Sequence, residues 1–229
     1  MPPQPLSSVK RDARIILGPF DFILRKDAAI WLANCISNWS EVELWLGTMM
    51  TAFLGEAAAP TVAIYLGLTA LRTRISALSA AAPKVLNQEQ HEIFEAIMSL
   101  LKTAGGKRDK LAHWLWAYSP DKQLADAILL INPRYRLPHI SDGIIASIRR
   151  HPHKSELDPK EIYVYRPNDL KEICLEINFV REVTNKFSKM VLYDDNVAIQ
   201  HQLLNELMSE PPILELVTAA RKKNQKGDP

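Results

Sequence analysis

Cysteine is scarce: Cys35 and Cys174 are the only two in 229 residues, and each falls inside an apolar helical pattern. That excludes a disulfide framework as the organising constraint, and both read as buried, reduced thiols. Glycine is scarce too. None of the eight glycines belongs to a phosphate loop, a Rossmann fingerprint or a Gly-x-Ser-x-Gly elbow, so the usual backbone cradles for nucleotides and oxyanions are missing. Long apolar runs are also missing. The richest stretch, residues 44–71, is divided by Glu56 and Pro60 into pieces too short to span a bilayer. Residues 1–5, Met-Pro-Pro-Gln-Pro, lack the apolar core of a signal peptide, so the expectation is a cytoplasmic protein with no membrane partner. An excess of one charge is likewise lacking: 28 Lys plus Arg stand against 26 Asp plus Glu. A nucleic-acid partner is predicted by charge alone only where basic residues cluster on one face.

What is present is an ordinary globular balance, 47% hydrophobic and 24% charged, which can bury a core without staples. Residues 1–18 read as a disordered or loosely docked lead, 19–210 as a single domain, and 211–229 as a basic, polar tail. Residues 27–54 are strongly apolar. Ser40-Glu41-Val42-Glu43 in their middle has the form of a capping box, which leaves open whether they form one helix or two. A helix over 60–82 carries Ile64, Leu68, Leu71, Ile75 and Leu78 on one stripe and ends before Pro83. The next opens at Asn87, with Gln90 as its capping partner, and buries Ile93, Phe94, Ile97, Leu100 and Leu101. Gly105-Gly106 mark a break or kink, followed by a short helix over 107–118.

The texture then changes. Residues 124–166 form an insertion in which the apolar run 125–131 and the alternating segment 161–165, Glu-Ile-Tyr-Val-Tyr, suit a two-stranded hairpin. A long helix over 168–192 has Ile173, Ile177, Val180, Phe187 and Val191 on one stripe, and a final helix covers 196–209. The fold class expected is mainly α: a helical bundle with a small β-hairpin appendage and a long C-terminal helix.

One stretch looks built for chemistry: Arg108-Asp109-Lys110-Leu111-Ala112-His113-Trp114-Leu115-Trp116. Cleaving RNA without a metal needs a base for the 2′-hydroxyl and an acid for the leaving oxygen, and an imidazole serves as either near neutrality. It also needs a fixed cation for the charge that gathers on the phosphate, which the planar fork of arginine supplies. Asp109 lies four residues before His113, on the same helical face, where its carboxylate can orient the ring. A structural reading stands beside this one. In it Arg108 pairs with Glu41 or Glu43, His113 bonds a backbone carbonyl, and Trp114 and Trp116 are core and rim aromatics. Trp31, Trp39 and Trp45 read as core or dimer contacts. His151 and His153 sit two apart with no cysteine partner, which is not metal spacing, and no metal or cofactor is expected. The basic run Arg149-Arg150-His151-Pro152-His153-Lys154 is a weak RNA-binding candidate through Arg149, Arg150 and Lys154, and acts as a clamp only if it lies beside Arg108.

Arg-Asp-x-x-Ala-His-x-x-Trp, placed late in a bundle, resembles the HEPN superfamily (higher eukaryotes and prokaryotes nucleotide-binding), whose motif is an arginine, a polar residue, a short spacer and a histidine. The resemblance covers roughly residues 35–192. It implies a four-helix bundle, a homodimer that brings two motifs together, and metal-independent endoribonuclease activity on RNA in a toxin or defence setting, with an antitoxin or other partner protein. In that reading His113 is the general acid or base, Arg108 the phosphate cation and Asp109 the orienting residue. The alternative is a non-catalytic HEPN-like dimerisation or interaction module.

Overall fold

The computed structural model describes residues 3–17, 25–55, 58–136, 141, 157–193 and 195–226. The chain is mainly helical with a small antiparallel sheet. It divides into two units: Met1–Ile36 with Gly106–Leu175, and Ser37–Gly105 with Glu176–Pro229. Three long helices contribute residues to both: α2 (Lys26–Leu54), α5 (Gln88–His113) and α6 (Pro167–Leu192).

The first unit carries the sheet. In chain order its strands are β1 (Gln4–Pro5), β2 (Ile16–Leu17), β3 (Leu115–Tyr118), β4 (Ile128–Ile131) and β5 (Ile162–Tyr165), and across the sheet they run β1-β5-β4-β3-β2. The β4–β5 pair, with Ile131 opposite Ile162 and Leu130 opposite Tyr163, is the pairing expected between 125–131 and 161–165. The other three strands extend it beyond a hairpin. Side chains alternate across a pleated sheet. One face sends Ala117, Leu129, Ile131, Ile162 and Val164 into a cluster closed by Leu6, Leu124 and Ala127. The opposite parity puts Trp116, Leu130 and Tyr163 side by side on the other face.

The first 18 residues, expected to be a loose lead, instead contribute both edge strands. Pro5 pairs with Tyr163 and Ile16 with Tyr118, and Leu6, on the short helix α1 (Leu6–Val9), is fully buried. The tie is partly polar: Asp121 receives Lys10 at 3.4 Å, the Arg14 amide at 3.3 Å and the Ser119 hydroxyl at 3.2 Å. Prolines and charges disguised a segment whose apolar residues number few but are well placed.

The 107–118 helix is also corrected. The helix is continuous from Gln88 to His113, and residues 115–118 leave it as a strand. Leu-Trp-Ala-Tyr is rich in β-formers, and in the sheet it gains β4 and β2 as neighbours. The indole Nε1 of Trp116 donates to the Leu111 carbonyl at 3.1 Å. Residue 115 would have used that carbonyl had the helix continued, so Trp116 satisfies an orphan of the helix end. Leu111 is buried, whereas Leu115 is 39% exposed.

Every regular element among the described residues of the second unit is a helix. It contains α3 (Ala58–Gly67), α4 (Leu71–Val85), α7 (Val197–Ser209) and α8 (Pro211–Lys226), with parts of the three long helices. Phe94 packs between Phe53 and Phe187, with ring centroids 5.9 and 6.0 Å away. Asn87 and Gln90 form the expected reciprocal cap, each side chain accepting from the other's amide at 3.1 and 2.9 Å, an arrangement that stabilises a helix start by about 1 kcal/mol. Residues 27–54 belong to one helix. Glu43 is taken by the Trp39 indole at 2.9 Å and by Arg74 at 3.3 Å, while Glu41 pairs with Arg181, so neither acid is spent on a cap.

Gly105 does not break α5. A Cβ there would lie 2.6 Å from Leu71 Cδ2 and 3.1 Å from Trp39 Cη2, so the glycine marks a close approach of neighbouring side chains rather than a turn. The 60–82 helix, by contrast, is two. Arg74 Nε captures the Leu68 carbonyl at 2.7 Å in the turn between α3 and α4, and α4 runs past Pro83 to Val85. The expected polar tail is largely helix α8. Its Ile213 and Val217, four apart, are buried, and Arg221 reaches Glu92 at 2.6 Å.

Candidate functional site

Arg108, Asp109 and His113 occupy the last two turns of α5. Neighbouring helical residues are turned by about 100° and rise about 1.5 Å. Asp109 and His113 therefore differ by about 40° around the axis, and Arg108 and His113 by about 140°. Helical position alone would send the arginine to a different face. Its Nη1 lies 3.2 Å from Asp109 Oδ1, so the guanidinium reaches the carboxylate of the next residue, which shares a helical face with His113. The Arg108 side chain retains 23% of its exposure and that of Asp109 58%. A pair this open contributes little stability, on the order of 0–1 kcal/mol, so its consequence is orientation.

His113 is exposed and ends the helix. Among the described residues its imidazole has no hydrogen-bonded partner, and the Asp109 carboxylate engages Arg108 rather than the ring. The expected contact between Asp109 and His113 is therefore not formed, and Asp109 bonds Arg108 instead. Arg149, Arg150 and Lys154 lie outside the described residues, as do His151 and His153.

At the same helix end the sequence reads Trp114 as a core or rim aromatic and assigns no role to Lys110 or Tyr163. The Lys110 ammonium lies 5.3 Å from the Trp114 ring centroid and 5.6 Å from that of Tyr163. The two rings meet edge to face, 5.8 Å apart at 62°, and all three residues are half-buried. Lys110 and Trp114 are four apart, a spacing at which side chains meet on a helix, and the Trp114 amide still donates to the Lys110 carbonyl at 3.0 Å. Two of the three members were therefore legible as a spacing. Tyr163 was not, because only the β3–β4–β5 register carries it to α5.

Elsewhere in this unit, a cavity of about 510 Å³ is lined by Arg25, Lys26, Asp27, Asp126 and Pro167 among others. Its charges are of both signs, and none of the candidate residues borders it. Among the described residues no three His, Cys, Asp or Glu side chains gather as a metal site, and no helix is long and apolar enough to cross a membrane. Trp39 is buried, as a core residue should be. Cys35 and Cys174 are buried and not disulfide-bonded.

No protein-family model matches this chain, and no curated protein or solved structure shows significant similarity to it.

Proposed function

We propose that this chain is a metal-independent endoribonuclease of the HEPN-like kind that works as a homodimer. The observation that carries the reading is the exposed His113 imidazole at the end of α5, one helical turn from Asp109, whose carboxylate holds Arg108 at 3.2 Å. A phosphate held by that guanidinium meets an imidazole with no competing hydrogen bond.

In the reaction, one imidazole takes the proton of a 2′-hydroxyl as its oxygen attacks phosphorus. Arg108 holds the charge that accumulates on the non-bridging oxygens, and the bond from phosphorus to the 5′-oxygen breaks as a protonated imidazole delivers a proton to that oxygen. The products are a 2′,3′-cyclic phosphate and a 5′-hydroxyl. Each chain offers one imidazole at this place, and a two-fold axis that brings the two α5 ends together supplies the second.

The test is cleavage of single-stranded RNA in excess EDTA. Expected are cyclic-phosphate ends, blockage by a 2′-deoxy substitution at the cut, loss with His113→Ala, and little rescue by Arg108→Lys, since a point charge does not reproduce a bidentate fork. An inert wild type, or a monomer by light scattering at micromolar concentration, overturns the reading.

A second reading, a non-catalytic interaction module, is favoured by α3, where Ile64 and Leu66 remain 68% and 63% exposed. Apolar exposure of that order on one short helix suits a protein partner.

A further inference from the structure

The aromatic cluster at the end of α5 has more surface than a structural pin requires. Trp114 follows His113 directly, so their Cα atoms are about 3.8 Å apart. Its indole is half-buried and leans edge-on against Tyr163, which projects from β5 on the face shared with Trp116 and Leu130. Trp116 has a fixed duty at the helix end, through its bond to Leu111. The Trp114 and Tyr163 rings instead share a flexible cation, Lys110, at 5.3 and 5.6 Å.

We propose that Trp114, braced edge-on by Tyr163, is the stacking platform for one base of a single-stranded RNA, the base flanking the phosphate presented to His113, with Lys110 contacting an adjacent phosphate. This rests on the ribonuclease reading and deepens it by assigning the side chains that hold one unpaired base of the substrate.

The physical argument has three parts. An aromatic face binds any base, because every base has a π-surface, but only one that has left its own stack. A paired base in an A-form helix cannot reach a ring seated at a helix–sheet junction, so the platform selects against duplex. Finally, the ammonium over the rings holds the place of a ligand. As a base arrives, Lys110 leaves the rings on its long stem and takes a phosphate oxygen. The same three groups thus read base and backbone of one nucleotide, beside the guanidinium and imidazole that act on its linkage.

The experiment uses the full chain carrying His113→Ala, so that RNA stays uncut, and a 12-nucleotide single strand read by fluorescence anisotropy. Trp114→Leu and Tyr163→Leu should each weaken binding by about 5-fold or more. Trp114→Phe and Tyr163→Phe should restore most of it, which a loss of folding would not allow. Lys110→Gln should lower the slope of log affinity against log salt by roughly one phosphate contact. A duplex of the same sequence should bind more weakly and be indifferent to the ring substitutions.

Equal binding by the leucine variants, or binding of duplex and single strand alike, overturns the platform. The ribonuclease reading is judged separately, on the chain with His113 intact. RNA held through the rings but left whole by that chain overturns the enzyme and keeps the platform. Cleavage by that chain, with binding indifferent to Trp114→Leu, does the reverse.

Discussion

Leu6→Ala is the sharpest probe of how this fold is assembled, because Leu6 lies in a segment that composition alone would discard. Its side chain is fully buried against Ala117, Leu129, Ile131, Ile162 and Val164. Truncation removes most of a leucine side chain from that cluster and leaves a cavity, which costs about 2–5 kcal/mol at fully buried sites. Leu6 sits on a four-residue helix beside an edge strand, where the backbone can settle partly into the gap, so the lower part of that range, about 2–3 kcal/mol, applies. With a urea dependence of about 2 kcal/mol per molar, the unfolding midpoint should fall by about 1–1.5 M. Far-ultraviolet circular dichroism supplies the titration. Amide exchange at Val164, whose register partner across the edge is Gln4, shows whether β1 has let go. A midpoint within about 0.25 M of wild type, the scale of a surface substitution, would refute the reasoning and leave residues 3–17 energetically detached from the sheet.

Two pH dependences follow from the same unit. Burial pushes the Asp121 carboxyl up, but Lys10, the Arg14 amide and the Ser119 hydroxyl outweigh it, so the net shift is downward. Its contribution is therefore present above the unfolded carboxylate range, near ~4, and is lost as pH falls through the lower folded value. Exchange protection of residues 3–17 should drop with acid in the wild type, whereas in Asp121→Asn it should be low and flat; superimposable acid profiles would contradict this. At the other end of the scale, burial first and the neighbouring Cys174 second push the Cys35 thiol up to about 12. A raised folded value means that stability is complete below the unfolded thiol range, near ~9, and is lost as pH rises toward 12. The melting temperature of the wild type should fall more steeply above pH ~9 than that of Cys35→Ala, and parallel curves would show that the thiol carries none of this dependence.

What the sequence disclosed depended on how local the deciding interaction is. The cap at Asn87 and Gln90, the stripe of α6 and the pairing of 125–131 with 161–165 were all legible, because each rests on residues close in sequence or on plain alternation. The errors have the opposite character. Gly105 reads as a break until Leu71 and Trp39 are seen pressing on it. Ser40 to Glu43 keeps the form of a capping box until Arg74 and Trp39 claim the glutamate. The edge strands β1 and β2 have two residues each, too few to show a period, and their partners lie a hundred residues or more away. Of the candidate site, Arg108, Asp109 and His113 were visible as a spacing. That the arginine's partner is Asp109 was not, since helical angles alone would have assigned the aspartate to the histidine.

The point at which α5 stops matters more to the site than the motif's spacing does. Had the helix run on to residue 118, His113 would have sat mid-helix with Trp114 and Trp116 turned about 100° and 300° away from it, and Tyr163 would have had no place beside either. Ending at His113, the chain changes period at once: Trp116 turns back to satisfy the helix end, while Trp114 meets Tyr163 across the new junction. The imidazole then stands where the backbone leaves one regular structure for another. A rigid helix on one side fixes Arg108 and Asp109, and a paired strand on the other fixes the ring next to it. Such a junction places an imidazole, a guanidinium and an aromatic ring close together along the chain on paired, regular elements, as positioning by rigid elements requires. The same logic locates its weak point. Weakening the β3–β4 pairing, through residues that touch no ligand, should loosen Trp114 and His113 together while leaving the Arg108–Asp109 contact on the helix intact.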